Sequence, residues 1–253
     1  MNPIGVVICN YNKKDFVLQC VQSVLESKEK NFDIYVVDNA SSDGSAEALK
    51  KAYGNRITVI ENKENLGGSG GFNTGLRIVR DKGYSYFMCL DDDAAVDENA
   101  LSVLYHYMEE HTDTGMAGCR VYHTQMPDYI QQSGLLIDFE NCTAKTIGAD
   151  MPEDGSLPDV IECDTVATCA VMVRADTVKQ KGVGIMPEDN FIYWDDMEWG
   201  YRIKLAGYRV VTLAEAKALH QMGANTKKEN TFICGETGPI SLCGLRRRRR
   251  WRQ

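Results

Sequence analysis

Tyr86-Phe87-Met88-Cys89-Leu90-Asp91-Asp92-Asp93 decides how this chain is read. An unbroken apolar run stops at three consecutive aspartates. A run that is apolar at every position suits a strand covered on both faces, as in a parallel sheet. Adjacent carboxylates repel, and a fold tolerates three of them best where a cation neutralises the charge. A hard divalent ion takes one or two such oxygens and completes its shell with phosphates and water. The competing reading is a solvated turn in which an aspartate caps a helix. The apolar strand feeding the cluster favours the metal.

The same pattern recurs outward from this point. Ile4–Cys9 runs apolar into Asn10-Tyr11-Asn12, Phe32–Val37 runs into Asp38, and Ile57–Ile60 is a further strand. Helical spacing or turn signals predict helices at Phe16–Leu25, Ser45–Tyr53, Phe72–Lys82 and Glu98–His111, with a strand at Gly115–Tyr122. This alternation predicts an α/β fold with a Rossmann-like, mostly parallel central sheet and helices on both faces. Asn10, Asp38 and Asp91–Asp93 then all follow the carboxyl ends of strands, the edge where open α/β sheets bind ligands. The second half changes character: short strand-like pieces and a polar loop between Pro127 and Pro158, a strand at Val166–Val173, a helix at Asp195–Ala206 and a strand at Tyr208–Thr212. The two halves are expected to share one sheet, giving a single domain over 1–230 with lobes 1–125 and 126–230, the second smaller.

The 253 residues carry a net charge of -8, which argues against nucleic acid as a partner. No apolar run approaches the roughly 18 residues of a membrane span, and the apolar N-terminus reads as a first strand, not a signal peptide. The nine cysteines form no CxxC pair, so they read as reduced core residues of a cytoplasmic protein. Six arginines fall in the last eight residues. Residues 231–253 are therefore expected to be an atypical, disordered basic tail, with peripheral membrane association as its functional alternative.

Three further stretches carry candidate chemistry. Asn65–Gly75, NLGGSGGFNTG, reads as a glycine loop entering a helix, where backbone N–H groups approach a phosphate or sugar; a plain structural loop is the equal alternative. It matches neither a Walker loop nor the dinucleotide fingerprint. Trp194-Asp195-Asp196-Met197-Glu198-Trp199 with Arg202 puts acids at a helix start between two tryptophans. Helix capping explains the acids; a general base beside sugar-stacking aromatics explains the whole cluster. His220 follows an apolar stretch and, taken alone, reads more readily as a hydrogen-bonded histidine than as a ligand.

Taken together and in this order, these motifs resemble glycosyltransferase family 2, the inverting enzymes of GT-A fold, from Pro3 to about Asn225. Val6–Asn12 resembles the family's first strand and loop, Val36–Ser45 its second, and Leu90–Asp93 its DxD metal strand. Phe191–Asp196 with Arg202 resembles its acid-pair helix, and His220-Gln221-Met222-Gly223 its late metal-ligand histidine. The Asn65–Gly75 stretch and the triple aspartate look most like galactofuranosyltransferases and rhamnosyltransferases. The resemblance implies a nucleotide-binding half over 1–125 and an acceptor-binding half over 126–230. It implies a divalent cofactor, Mn²⁺ or Mg²⁺, held by Asp93 and His220 with Asp91 nearby. Asn10, Asp38, Asn65, Gly68, Asp91 and Asp92 would bind the donor. Asp196 would be the base with Asp195 beside it, and Trp194, Glu198, Trp199 and Arg202 would face the acceptor. The implied reaction moves a hexose from UDP-galactofuranose or dTDP-rhamnose to a glycan or lipid-linked glycan, in polysaccharide or cell-wall synthesis at the inner face of the plasma membrane. Two rivals fit less well. A sugar-nucleotide nucleotidyltransferase would place a basic glycine-rich signature after the first strand, where this chain has Asn10–Asp15. A non-catalytic glycan-binding relative would be expected to lose acids that are present here.

Overall fold

The apolar runs form strands in register at their carboxyl ends. In the computed structural model, which describes residues 3–141, 143–189, 191 and 194–221, the first half comprises β1 (Ile4–Asn10), α1 (Lys14–Glu26), β2 (Phe32–Asp38), α2 (Ser45–Tyr53), β3 (Thr58–Glu61), α3 (Gly67–Lys82) and β4 (Tyr86–Asp91). β1 lies between β2 and β4, parallel to both, pairing Asn10 with Asp38 and Cys9 with Asp91. β3 extends the parallel set, with Glu61 opposite Asp38. One sheet edge therefore collects the polar strand ends.

The chain continues through β5 (Ala94–Val96), α4 (Ala100–Glu110), β6 (Thr114–His123), β7 (Met126–Gln132), β8 (Leu135–Asp138), β9 (Thr143–Thr146), β10 (Met151–Pro152), β11 (Val160–Glu162), β12 (Ala170–Arg174), α5 (Ala175–Val178), α6 (Asp195–Leu205) and β13 (Arg209–His220). An 11-stranded sheet runs β10-β7-β6-β12-β4-β1-β2-β3, with β13, β11 and β5 joined at its side. Both halves share it, as the apolar runs predict. Parallel pairing holds from β3 to β4; beyond that the sheet is mixed, because β12 inserts antiparallel between β4 and β6. β8 and β9 form a separate hairpin.

Alternation along the strands feeds two cores. Ile4, Val6 and Ile8 of β1 and Tyr86, Met88 and Leu90 of β4 pack beneath α1, α2 and α4. Val7, Phe87 and Cys89 face the other way, against Phe72, Leu76 and Val79 of α3 and Trp199 and Ile203 of α6. Each such aliphatic burial stabilises by about 1.5–3 kcal/mol relative to exposure. Six cysteines among the described residues are free, five of them buried, as core residues should be.

The glycine stretch corrects the sequence expectation. Gly67–Gly71 is not a loop but the opening of α3. Gly67, Gly71 and Gly75 recur every fourth residue and form one face. A methyl group on Gly67 would strike the Phe191 carbonyl, one on Gly71 would strike Cys9, and one on Gly75 would lie 2.5 Å from Val7 Cγ1. Gly71 and Gly75 thus serve the close approach of α3 to β1 and β2, and Gly67 admits the backbone that leads to α6. Residues 231–253 lie outside the described residues.

Candidate active site

β4 delivers Asp91 to the sheet edge, and the turn after it delivers Asp92 and Asp93. His220 arrives from the far half of the chain. β13 runs parallel to β6, shifts register between Leu213 and Lys217, and then pairs antiparallel with β5, setting His220 opposite Ala94. The backbone N–H of Gln221 donates to the Asp93 carbonyl at 3.1 Å. Ligand atoms of Asp91, Asp93 and His220 all fall within 4.8 Å of one another. His220 Nε2 lies 3.2 Å from Asp93 Oδ1 and 3.7 Å from Asp91 Oδ2.

Lys13, at the foot of α1, sets its ammonium 3.0 Å from Asp92 Oδ1 and 2.6 Å from Asp93 Oδ2. The backbone N–H of Tyr11 donates to Asp92 Oδ2 at 3.0 Å. Burial pushes Asp92 up to about 7 despite the lysine. Burial would raise Asp93 as well, but the His220 hydrogen bond and the Lys13 charge outweigh it and hold that carboxyl low. Burial would lower His220, yet Asp93 and Asp91 raise it. Buried Oδ1 of Asp93 has no hydrogen-bond donor among the described residues beyond the imidazole that it faces. Two carboxylates and an imidazole turned on one point form a donor set suited to Mn²⁺ or Mg²⁺. These residues fit a divalent ion.

The remaining sequence candidates divide. Asn10 is fully buried and donates to Asp38 Oδ1 at 2.8 Å and to Ser41 Oγ at 3.1 Å. Asp38 Oδ2 accepts from the Ser41 N–H, so this pair shapes the β2 loop. Asn65 Oδ1 accepts from Asn39 Nδ2 and from the Gly67 N–H, holding the start of α3. Gly68 donates its N–H to the Phe191 carbonyl, and a Cβ there would sit 3.7 Å from Asp195 Oδ2. The glycine helix and the acid-pair helix thus meet at Gly68.

α6 opens with Asp195 and Asp196 after Trp194, whose left-handed φ of 68° is unusual for a bulky residue. Thr165 fixes the helix by donating from Oγ1 to the Asp196 carbonyl at 2.7 Å, and any side chain on Gly200 would strike Thr165. Loss of solvation raises both carboxyls well above the ordinary range; Asp195 adds to the rise of Asp196, and the charge of Asp91 adds to both. Asp91 thus links the acid pair to the three-residue donor set electrostatically.

The four acceptor-side candidates all pack against or bind other parts of the fold. Trp199 is 0% exposed and donates its indole N–H to the Gly184 carbonyl at 3.0 Å, so its ring packs in the core. Glu198 and Arg202, one helical turn apart, bind each other at 2.5 and 3.0 Å and close the helix face instead of presenting free charges. Trp194 is half-buried against the Ile137–Tyr201 cluster, with a buried indole N–H that meets no acceptor among the described residues. Sequence reasoning missed Lys13 and Thr165; a lysine directly after a polar strand end was the available sign of the first, and the second has no motif.

The family model described as "Glycosyl transferase family 2" matches residues 5–169. A teichoic acid poly(glycerol phosphate) polymerase of Staphylococcus epidermidis is 27% identical over 146 residues, covering 56% of this chain and 19% of that protein. A UDP-Glc:alpha-D-GlcNAc-diphosphoundecaprenol beta-1,3-glucosyltransferase of Escherichia coli is 30% identical over 109 residues, covering 43% of this chain and 42% of that one. The chain thus spans less than half the length of these two relatives. Among solved structures, a mannosyltransferase of Pyrobaculum calidifontis in complex with GDP-Man and Mn²⁺ superposes with a TM-score of 0.65 at 16% identity, covering 88% of this chain and 58% of that one.

Proposed function

The chain belongs to glycosyl transferase family 2, and from that premise we propose that it transfers a sugar from a nucleotide-sugar donor to an acceptor hydroxyl with inversion at the anomeric carbon. One observation carries the reading: ligand atoms of Asp91, Asp93 and His220 converge within 4.8 Å of one another, and the charge of Asp91 reaches the buried Asp195–Asp196 pair at the start of α6. A cation-binding cluster beside a poised carboxylate is what displacement of a nucleoside diphosphate by a hydroxyl requires.

Asp91, Asp93 and His220 would hold Mn²⁺ or Mg²⁺, which supplies charge neutralisation for the departing diphosphate. Asp196 is the base that takes the acceptor proton, and Asp195 orients the acceptor beside Gly68. Asp92 and Lys13 line the donor side, while Asn10, Asp38 and Asn65 shape the loops under the nucleotide. The Escherichia coli relative, whose name includes a diphosphoundecaprenol-linked acceptor, supports a lipid-linked glycan as acceptor and a place in cell-surface polysaccharide synthesis. Among the described residues no helix is long and apolar enough to cross a membrane. The choice of galactofuranose or rhamnose as donor sugar leaned on Gly67–Gly71, two of which, Gly67 and Gly71, are accounted for by packing. The names of similar enzymes span glucose, mannose and N-acetylglucosamine, and the donor class stays at nucleotide-sugar.

The test is a panel of UDP-, GDP- and dTDP-sugars with Mn²⁺, scored for transfer or donor hydrolysis, with the product anomer assigned by NMR. A product of inverted configuration is expected. A retained configuration would refute the mechanism, and no turnover or binding with any donor would refute the assignment.

A further inference from the structure

The imidazole of His220 has a second nitrogen, and its partner is buried. Nδ1 lies 2.7 Å from Oε1 of Gln131, a β7 residue that is 7% exposed. That amide is not free to turn over. Its Nε2 sits 3.2 Å from the backbone carbonyl oxygen of His220, and a carbonyl oxygen can only accept. The NH₂ group must therefore face the carbonyl, which leaves Oε1 facing the ring. An amide oxygen also only accepts, so Nδ1 must carry the proton. In the neutral imidazole, the form that ligates a metal, the lone pair is then on Nε2. Nε2 is the nitrogen turned toward Asp93 and Asp91 at 3.2 and 3.7 Å.

We infer that Gln131 is the positioning residue of the metal centre: anchored on the backbone of His220, its amide fixes the imidazole tautomer and aims Nε2 at the point shared with Asp91 and Asp93. The chain of contacts continues outward with the same polarity. Gln131 Nε2 reaches Nδ1 of His123 in a long 3.5 Å contact, and His123 Nε2 lies 2.9 Å from Asp150 Oδ1. Asp150 accepts from Nε2–H of His123, which leaves His123 Nδ1 as an acceptor for the second amide hydrogen. No link in this chain favours the opposite tautomer of His220. The inference rests on His220 being a metal ligand. Orienting partners of this kind are worth 10–100-fold in metal affinity.

Calorimetric titration of Mn²⁺ into the metal-free full chain, wild type against Gln131→Leu, Gln131→Glu and His220→Ala, tests it. Gln131→Leu removes the acceptor at Nδ1 and should weaken Mn²⁺ by about 10–100-fold. Gln131→Glu keeps an acceptor at Nδ1 but loses the donor to the His220 carbonyl, so it should bind Mn²⁺ more weakly than the wild type and more tightly than Gln131→Leu. A residue that merely filled space would give the reverse order, because leucine suits a buried site better than a carboxylate turned on a carbonyl. If His220→Ala binds Mn²⁺ as well as the wild type, the metal reading itself fails. If His220→Ala weakens binding and Gln131→Leu does not, the positioning role alone fails. The wild type gives a direct check that needs no variant: ¹⁵N-histidine NMR of the Mg²⁺-loaded protein should show His220 protonated at Nδ1, and protonation at Nε2 with Nδ1 bare would overturn the inference.

Discussion

Asp195 and Asp196 occupy the same first turn of α6, yet consecutive helical residues point about 100° apart, so the two carboxylates cannot share a task. Asp196→Asn keeps shape and removes basicity; it should lower the rate of transfer by about 10²–10⁴-fold with donor affinity little changed. Single-turnover kinetics beside donor titration checks this, and full turnover in the variant would move the base elsewhere. The raised Asp196 carboxyl also sets a pH signature. A carboxyl raised in the folded state binds a proton that the unfolded chain has already lost, so between about pH 4 and about 7 this group makes folding less favourable as pH rises. Activity runs the opposite way, climbing through the same window as the base ionises. Asp195→Asn removes a neighbouring negative charge and should shift the acid limb of kcat/KM to lower pH. Burial is the larger cause, so the limb should stay above the ordinary carboxylate range. At this scale the sequence shows which residues are acids, because three carboxylates after an apolar strand are visible in one line. It does not show that Trp199 is spent on the core or that Glu198 is spent on Arg202, since aromatic and charged letters look alike in a cleft and beneath one.

At the scale of elements, α3 is the instructive case. Each glycine in a helix costs about 1 kcal/mol relative to alanine, so local propensity reads Gly67–Gly71 as loop. Packing against β1 overrides that propensity, and the fourfold spacing of Gly67, Gly71 and Gly75 was the legible sign of it. Gly71→Ala and Gly75→Ala should each destabilise by about 1–3 kcal/mol through forced displacement of α3 from Cys9 and Val7. Gly68→Ala has ordinary room at 3.7 Å from Asp195 Oδ2; it should leave the denaturation midpoint nearly unchanged and instead perturb turnover. Urea melts of the three variants decide between packing and ligand roles, and equal loss of stability in all three would contradict the division made here. Strand ends were easier to read, because Asn10, Asp38 and Asp91 each interrupt an unbroken apolar run. Gln131 sits on a short strand with no periodic signal, and only the return of β13 beside β5 gives it meaning.

Across the whole molecule, the site is assembled from residues far apart in sequence on one shared sheet. Asp91 and Asp93 come from the first half; His220 comes from a strand whose end pairs with both β6 and β5, and β12 inserts between β4 and β6. A sheet joined in this way should unfold as one unit, so the lobes proposed for 1–125 and 126–230 should not melt separately. A cation bound only by the folded state adds stability by mass action, about 2.7 kcal/mol at 100 times its dissociation constant. For a domain of this size, about 2–4 °C of Tm per kcal/mol is expected. Saturating Mn²⁺ should therefore raise the Tm of a single transition by several degrees, and EDTA should reverse the gain. His220→Ala should melt in one transition with little Mn²⁺ response, because the second half of the chain would no longer contribute its ligand. Two transitions, with Mn²⁺ raising only the one that reports on residues 1–125, would mean that the aspartates bind the ion without β13, and that the long return of the chain to His220 serves the fold alone.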